Sequence, residues 1–254
     1  MMTSAAPGLT RAGVDPAVTL PAGRASVRRW AWAGLAAQVA FVAGFLIAAS
    51  WQGPGYSPLA HSISDMYADT APGGLFLVVL LSLCGAATIG FALRSVWPSL
   101  RAAGWRALTG SVLLALSIVG LGDLLSPVER LACRIADPGC TPVGQLSTTG
   151  GKLDNIISSI GLLVLVLAFF FLASAMRRID AWQRWTAPMR WVGALTIVFT
   201  VATVLTQEAG YTGLFERLVA VTGAAMLAVL AAGILRQDRA VQPTTGGRHD
   251  DLTD

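Results

Sequence analysis

Residues 156–176 read IISSIGLLVLVLAFFFLASAM, twenty-one consecutive positions without a charge. A helix rises about 1.5 Å per residue, so a run of this length covers about 30 Å, the hydrocarbon thickness of a bilayer. A strand of a membrane barrel alternates apolar and polar positions, and IGLLVLVLAFFFLA does not alternate. With no water to satisfy backbone groups in lipid, the run is read as a transmembrane helix.

Working outward, five more stretches meet the same test: Trp30–Ser50, Gly74–Leu93, Leu108–Leu125, Trp191–Thr206 and Leu214–Leu235. The expected fold is therefore all-α, a polytopic membrane bundle of six transmembrane helices over residues 30–235. Residues 1–29 and 236–254, poor in large apolar side chains, read as a disordered arm and tail. His249 falls in that tail and reads as solvated. Glycines recur inside the spans (among them Gly34, Gly85, Gly110, Gly161 and Gly193), which favours close helix packing.

Composition agrees. The chain has 254 residues, 54% hydrophobic and 13% charged, about half the charge of an ordinary soluble domain. Those numbers exclude a disordered chain and a disulfide-rich miniprotein. The pI near 9.4 does not imply nucleic acid, because the basic residues sit in short clusters between apolar runs. Fourteen of the 18 fall before span one, between spans two and three, between four and five, and after six. Only Arg130, Arg134, Lys152 and Arg217 fall on the other side. The positive-inside rule then places both termini in the cytoplasm, in the cell's inner membrane. Arg28, Arg29 and the apolar stretch after them resemble a cleavable signal, but the stretch reaches spanning length and reads as span one.

The polar chemistry collects at the opposite, outer level. The first outer loop contains SPLAHSISDMY, residues 57–67. Ser57-Pro58 is the pattern of a helix start, and Pro58–Tyr67 is expected to form a short amphipathic helix along the membrane surface. On it His61 and Asp65 would share a face near Ser62, either as a polar pair over a cavity or as the solvated side of a lid. Asp123 closes span three near the outer interface, where an acid is costly without a partner. Arg130, Lys152 and Arg217 are the candidate partners. Asp154, Ser158 and Gly161 form one polar stripe at the start of span four. Glu208 ends span five, and Glu216 and Arg217 open span six. A salt bridge from Arg217 to Asp123, Asp154 or Glu208 is the simplest reading of that group. Cys133 and Cys140, on one outer loop, are expected to pair on an oxidising exterior. Cys84 reads as a packing residue.

No span contains a His, which argues against a haem bundle. There is no H-E-x-x-H, P-loop, G-x-S-x-G or Rossmann fingerprint, so no cofactor and no metal site are expected. No acid or base lies near a span midpoint, Gln38 coming nearest, which argues against an ion-coupled transporter. VERLA at 128–132 and FERLV at 215–219 match each other, but the residues around them diverge.

The ordered set GYSPLAHSISDMYA, GDLLSP, GGKLDNIISSIG and GLFERLV resembles the bacterial six-span membrane family catalogued as domain of unknown function 998. The resemblance covers about Ala31 to Leu235. It implies an integral membrane protein of six helices and brings no established activity. Members often carry a His where this chain has Asp154, so a His-dependent mechanism would not carry over. Two functional readings follow: a binding, accessory or membrane-organising protein, or an enzyme acting on a lipid or lipid-linked substrate at the outer leaflet. In the second, Asp123, Asp154, His61 and Asp65 are the candidate catalytic groups. The bilayer is the expected partner, with a lipid or lipid-linked ligand possible in either reading and nucleic acid in neither.

Overall fold

A computed structural model of the chain describes residues 21–240, all of whose regular structure is helical. The arm before Pro21 and the tail after Ala240, His249 included, lie outside the described residues. Six helical segments make the bundle: α1 Pro21–Ala49, α2 Gly74–Phe91, α3 Trp105–Leu116, α4 Thr149–Met176, α5 Thr186–Leu205 and α6 Thr212–Ala240. Five are long and apolar enough to cross a membrane, and α3 with its continuation Ile118–Leu125 forms a bent sixth candidate. The chain is a polytopic helical membrane protein.

Most helices outrun their apolar stretches. α4 starts at Thr149 rather than Ile156, because the Thr148 hydroxyl accepts the Gly151 N–H at 3.2 Å and caps the first turn. α2 continues past Phe91 through a π turn and further helical turns to Ala103. Hydropathy marks where lipid begins, whereas the backbone stays helical until a cap or breaker ends it.

Two expectations need correction. Span three is not one straight helix. Ser117 leaves helical geometry at ψ 176°, its hydroxyl bonds back to the Leu114 carbonyl at 2.8 Å, and the axis bends by 40° before Asp123. Ser and Gly at such a break, with a π turn over Ile118–Gly122, are the usual cause of a sharp kink. The first loop does not form a helix over Pro58–Tyr67 either. It turns at Ser57–His61, and only Ser64–Tyr67 makes a single 3-10 turn. Local side chains divert its backbone: His61 Nδ1 accepts the Ser57 N–H at 2.8 Å and Asp65 accepts the Ser62 N–H at 3.2 Å.

The broken span is clasped by two glycines. A Cβ on Gly85 of α2 would lie 2.4 Å from the Leu124 nitrogen, and one on Gly161 of α4 would lie 2.8 Å from the Ile118 nitrogen. Both neighbours are backbone, so neither can swing aside. Elsewhere a buried bond from Gln38 to the Thr88 hydroxyl at 3.1 Å pins α1 to α2, and the Cys84 thiol donates to the Ala37 carbonyl.

The apolar side chains form two clusters. One, around Phe91, Leu114, Phe169, Leu172 and Trp182, fills the arginine-rich half of the bundle. The other, around Phe45, Met66, Leu77 and Leu81, joins α1 and α2 to the first loop. Replacing Gly85 or Gly161 with Val should cost about 2–3 kcal/mol through overpacking against backbone. Thermal unfolding in detergent checks this, with Val143→Ala, at an exposed position (82%), leaving Tm unchanged.

Candidate functional site

At the acidic end of the bundle the loops between α1 and α2 and between α3 and α4 interlock. Asp65, 2% exposed, is the fastener. Beside the Ser62 N–H it accepts the Ile135 N–H at 3.1 Å and the Gln145 amide at 2.7 Å, both from the second loop. Ser62 supports it by accepting the Asp65 N–H at 3.1 Å. Cys133 and Cys140 are joined by a disulfide within the same loop. Arg134 donates to Asp137 and to the Gln52 carbonyl, and its hydrogen bonds hold the half-buried Asp137 carboxyl below its usual range.

Two arginines, Arg130 and Arg217, serve mainly first-loop backbone. Arg130 donates to the Tyr67 and Ala68 carbonyls at 2.9 Å each and pairs with Asp69 at 3.1 Å. Arg217 donates to the carbonyls of Pro58 at 2.7 Å and His61 at 2.8 Å, and to the Tyr56 hydroxyl. The expected salt bridge from Arg217 to Asp123, Asp154 or Glu208 is therefore absent among the described residues. Irregular loop carbonyls at a membrane boundary need donors, and guanidinium supplies several in a fixed fork. Burial pushes the Tyr56 phenol up to about 12 despite the Arg217 charge beside it, so it stays protonated.

Beneath this roof lies a cavity of about 460 Å³ with walls from α1, α2, α4, α5, α6 and the continuation of α3 over Ile118–Leu125. Four carboxylic acids line it, Asp123, Glu129, Asp154 and Glu216, and no lining residue is Lys, Arg or His. Asp154, 6% exposed, accepts the Tyr67 hydroxyl at 3.0 Å. Burial, then Asp154 and Glu129, hold the Tyr67 phenol well above its ordinary range, so it remains a donor. Glu216 accepts the Ile63 N–H at 3.1 Å, joining α6 to the first loop. Glu129 differs. It is 4% exposed and its Oε2 is buried without any hydrogen-bond partner. Burial, with Asp154 and Asp123 adding repulsion, raises its pKa to about 8.

The sequence candidates are thereby divided. Asp123, Asp154, Ser158 and Glu216 meet in the cavity. His61, Ser62, Asp65 and Arg217 hold the roof above it, and Glu208 is exposed in the turn after α5. Lys152, one proposed partner of Asp123, is exposed. Among the described residues no three His, Cys, Asp or Glu side chains gather closely enough to hold a metal ion.

Glu129 and Tyr67 were not singled out in the sequence. A signal for Glu129 existed in the match between VERLA and FERLV. In both, the Glu lines the cavity and the following Arg caps first-loop carbonyls.

A family model described as a protein of unknown function (DUF998) matches residues 35–233. The chain belongs to that family. No curated protein and no solved structure matches it. The family match spans both loops of the roof and every residue lining the cavity.

The two kinds of acid should respond oppositely to substitution. Asp65→Ala strands three donors and should cost about 3 kcal/mol, near 10 °C in Tm. Glu129→Gln removes a buried acid that nothing pairs, and Tm at pH 7.5 should hold or rise.

The pH dependence follows by linkage. Glu129 binds a proton more tightly folded than unfolded, so its contribution falls as pH rises from about 4.5 to about 8. Thermal unfolding from pH 5 to 8 should therefore show declining stability, with a shallower slope in Glu129→Gln. An identical slope would assign the decline to other groups.

Proposed function

We propose that this protein binds a ligand, holding its cationic group in the acidic cavity. The observation that carries the reading is the set of four cavity acids without a cationic side chain among the lining residues. Carboxylates gathered in low dielectric repel one another and take up protons or attract a cation. A volume of about 460 Å³ is in the range of small-molecule sites. The clustering of 14 basic residues on the opposite loops and the two terminal segments supports an orientation with both termini cytoplasmic and the cavity near the outer face of the cell membrane.

Binding is favoured over catalysis because two of the four candidate catalytic groups, His61 and Asp65, do not join Asp123 and Asp154 in the cavity. His61 Nδ1 and both Asp65 oxygens are engaged by roof donors, and neither residue lines the cavity.

The test is thermal unfolding in phosphatidylcholine nanodiscs with octylammonium, octanol or octyl phosphate. Octylammonium near a hundredfold its Kd should raise Tm by about 5 °C, following the ligand-linkage relation. The double variant Glu129→Gln/Asp154→Asn should lose the shift. Equal effects from all three headgroups, or no ammonium effect, would overturn a cation-binding role.

A further inference from the structure

Resting on that reading, we propose that the ligand is a cationic amphiphile already dissolved in the bilayer, and that it reaches the cavity sideways between the acidic-end halves of α4 and α5. The exposure of the cavity walls carries this. A side chain that lines a cavity and is also exposed marks its mouth. Three lining residues meet both conditions, Asn155 and Ser159 on α4 and Val204 on α5. The roof residues that line the cavity are buried or half-buried: Ile63, Ser64, Tyr67 and Glu129. The loops above are bound to one another through Asp65 and Arg130, and the first is bound to α6 through Arg217. The roof therefore closes the direct route from water, and the gap faces the side of the bundle.

The two helices converge at their other ends. A Cβ on Gly193 of α5 would sit 3.3 Å from the Phe170 ring and 3.5 Å from Phe169 of α4. Asn155 and Ser159 are four residues apart and share a face, and their side chains make no hydrogen bond within the described residues. Ser159 lies ten residues into α4, about 15 Å along its axis. Unpartnered polar groups at that depth, on a membrane helix, gain from a bound polar headgroup.

The cavity also offers apolar surface to a hydrocarbon chain. Thr200 and Thr203 of α5 line the cavity, yet their hydroxyls donate to the carbonyls of Thr196 at 2.7 Å and Phe199 at 2.9 Å. With the hydroxyls turned onto their own helix, these threonines present methyl groups. Leu162 and Leu165 of α4 and Val219 of α6 add apolar surface.

The chemistry selects an ammonium head on an alkyl chain. Glu129, with its buried unpartnered Oε2, and the acids beside it receive the cation; Asn155 and Ser159 meet polar atoms near the head; the chain leaves between α4 and α5. An anionic phosphate head would meet four acids and no cationic side chain in the walls. A water-soluble polyamine offers the same charge but has no chain for the side opening and must pass the roof.

The experiment uses full-length protein in phosphatidylcholine nanodiscs and a hexadecylammonium probe with a photoreactive diazirine in its chain. Labelling mapped by mass spectrometry should fall on residues 155–165 and 200–204. It should drop about tenfold in Glu129→Gln/Asp154→Asn and in Val204→Trp, which fills the mouth; Ser159→Trp serves as a second plug. Each variant's ligand-free Tm controls for folding. Spermidine at equal concentration should not compete, and the hexadecanol analogue should label without dependence on Glu129. Labelling on the roof loops, full competition by spermidine, or undiminished labelling in both plugged variants would overturn the lateral route. If octylammonium still stabilises the protein in a manner dependent on Glu129, only the route fails. If no ammonium compound stabilises it, the binding reading fails too.

Discussion

The distribution of charge at the acidic end rests on a competition for guanidinium groups. Two loops of irregular backbone close the bundle there, and their carbonyls lie where few other donors reach. Arg130 and Arg217 satisfy five acceptors of the first loop and its flanks between them, counting the carbonyls of Tyr67, Ala68, Pro58 and His61 and the Tyr56 hydroxyl. So engaged, neither forms a salt bridge among the described residues with the carboxylate one residue before it. The roof and the uncompensated cavity are thus two results of the same Glu-Arg arrangement.

Stability and site chemistry consequently separate by partner rather than by residue type. Asp65 and Asp137 are acids whose oxygens are taken by donors in the loops. Glu129 is an acid whose Oε2 is taken by none. Asp154 and Glu216 stand between, each with one bond to the first loop, from the Tyr67 hydroxyl and the Ile63 N–H. Through these two bonds the roof touches the cavity directly, so a ligand that changes the charge of either acid also acts on the loop that covers it.

Much of the fold was legible from hydropathy because lipid imposes one rule everywhere: long apolar runs must be helices. The kink in span three was not legible, since hydropathy does not register a Ser hydroxyl bonding back to the preceding turn. His61 and Asp65 looked like a site because four-residue spacing implies one face, but that holds only on a helix, and local hydrogen bonds kept the segment from becoming one. Asp123, Asp154 and Glu216 were found because charges on spans are costly and stand out. Glu129 does not stand out in the sequence because a loop acid is ordinarily solvated. Only the folding of its loop back onto the bundle buries it, and the repeated Glu-Arg-Leu was the one linear trace of that event.

The central claim is that an acid is held in this cavity without a counter-cation, and infrared difference spectroscopy of ligand-free protein in nanodiscs tests it most directly. Glu129, with a pKa of about 8, should be protonated at pH 7 and should give a carboxylic-acid carbonyl band that fades at higher pH and is missing in Glu129→Gln. A spectrum at pH 7 without a band assignable to Glu129 would show that the site is already neutralised, and would contradict the account.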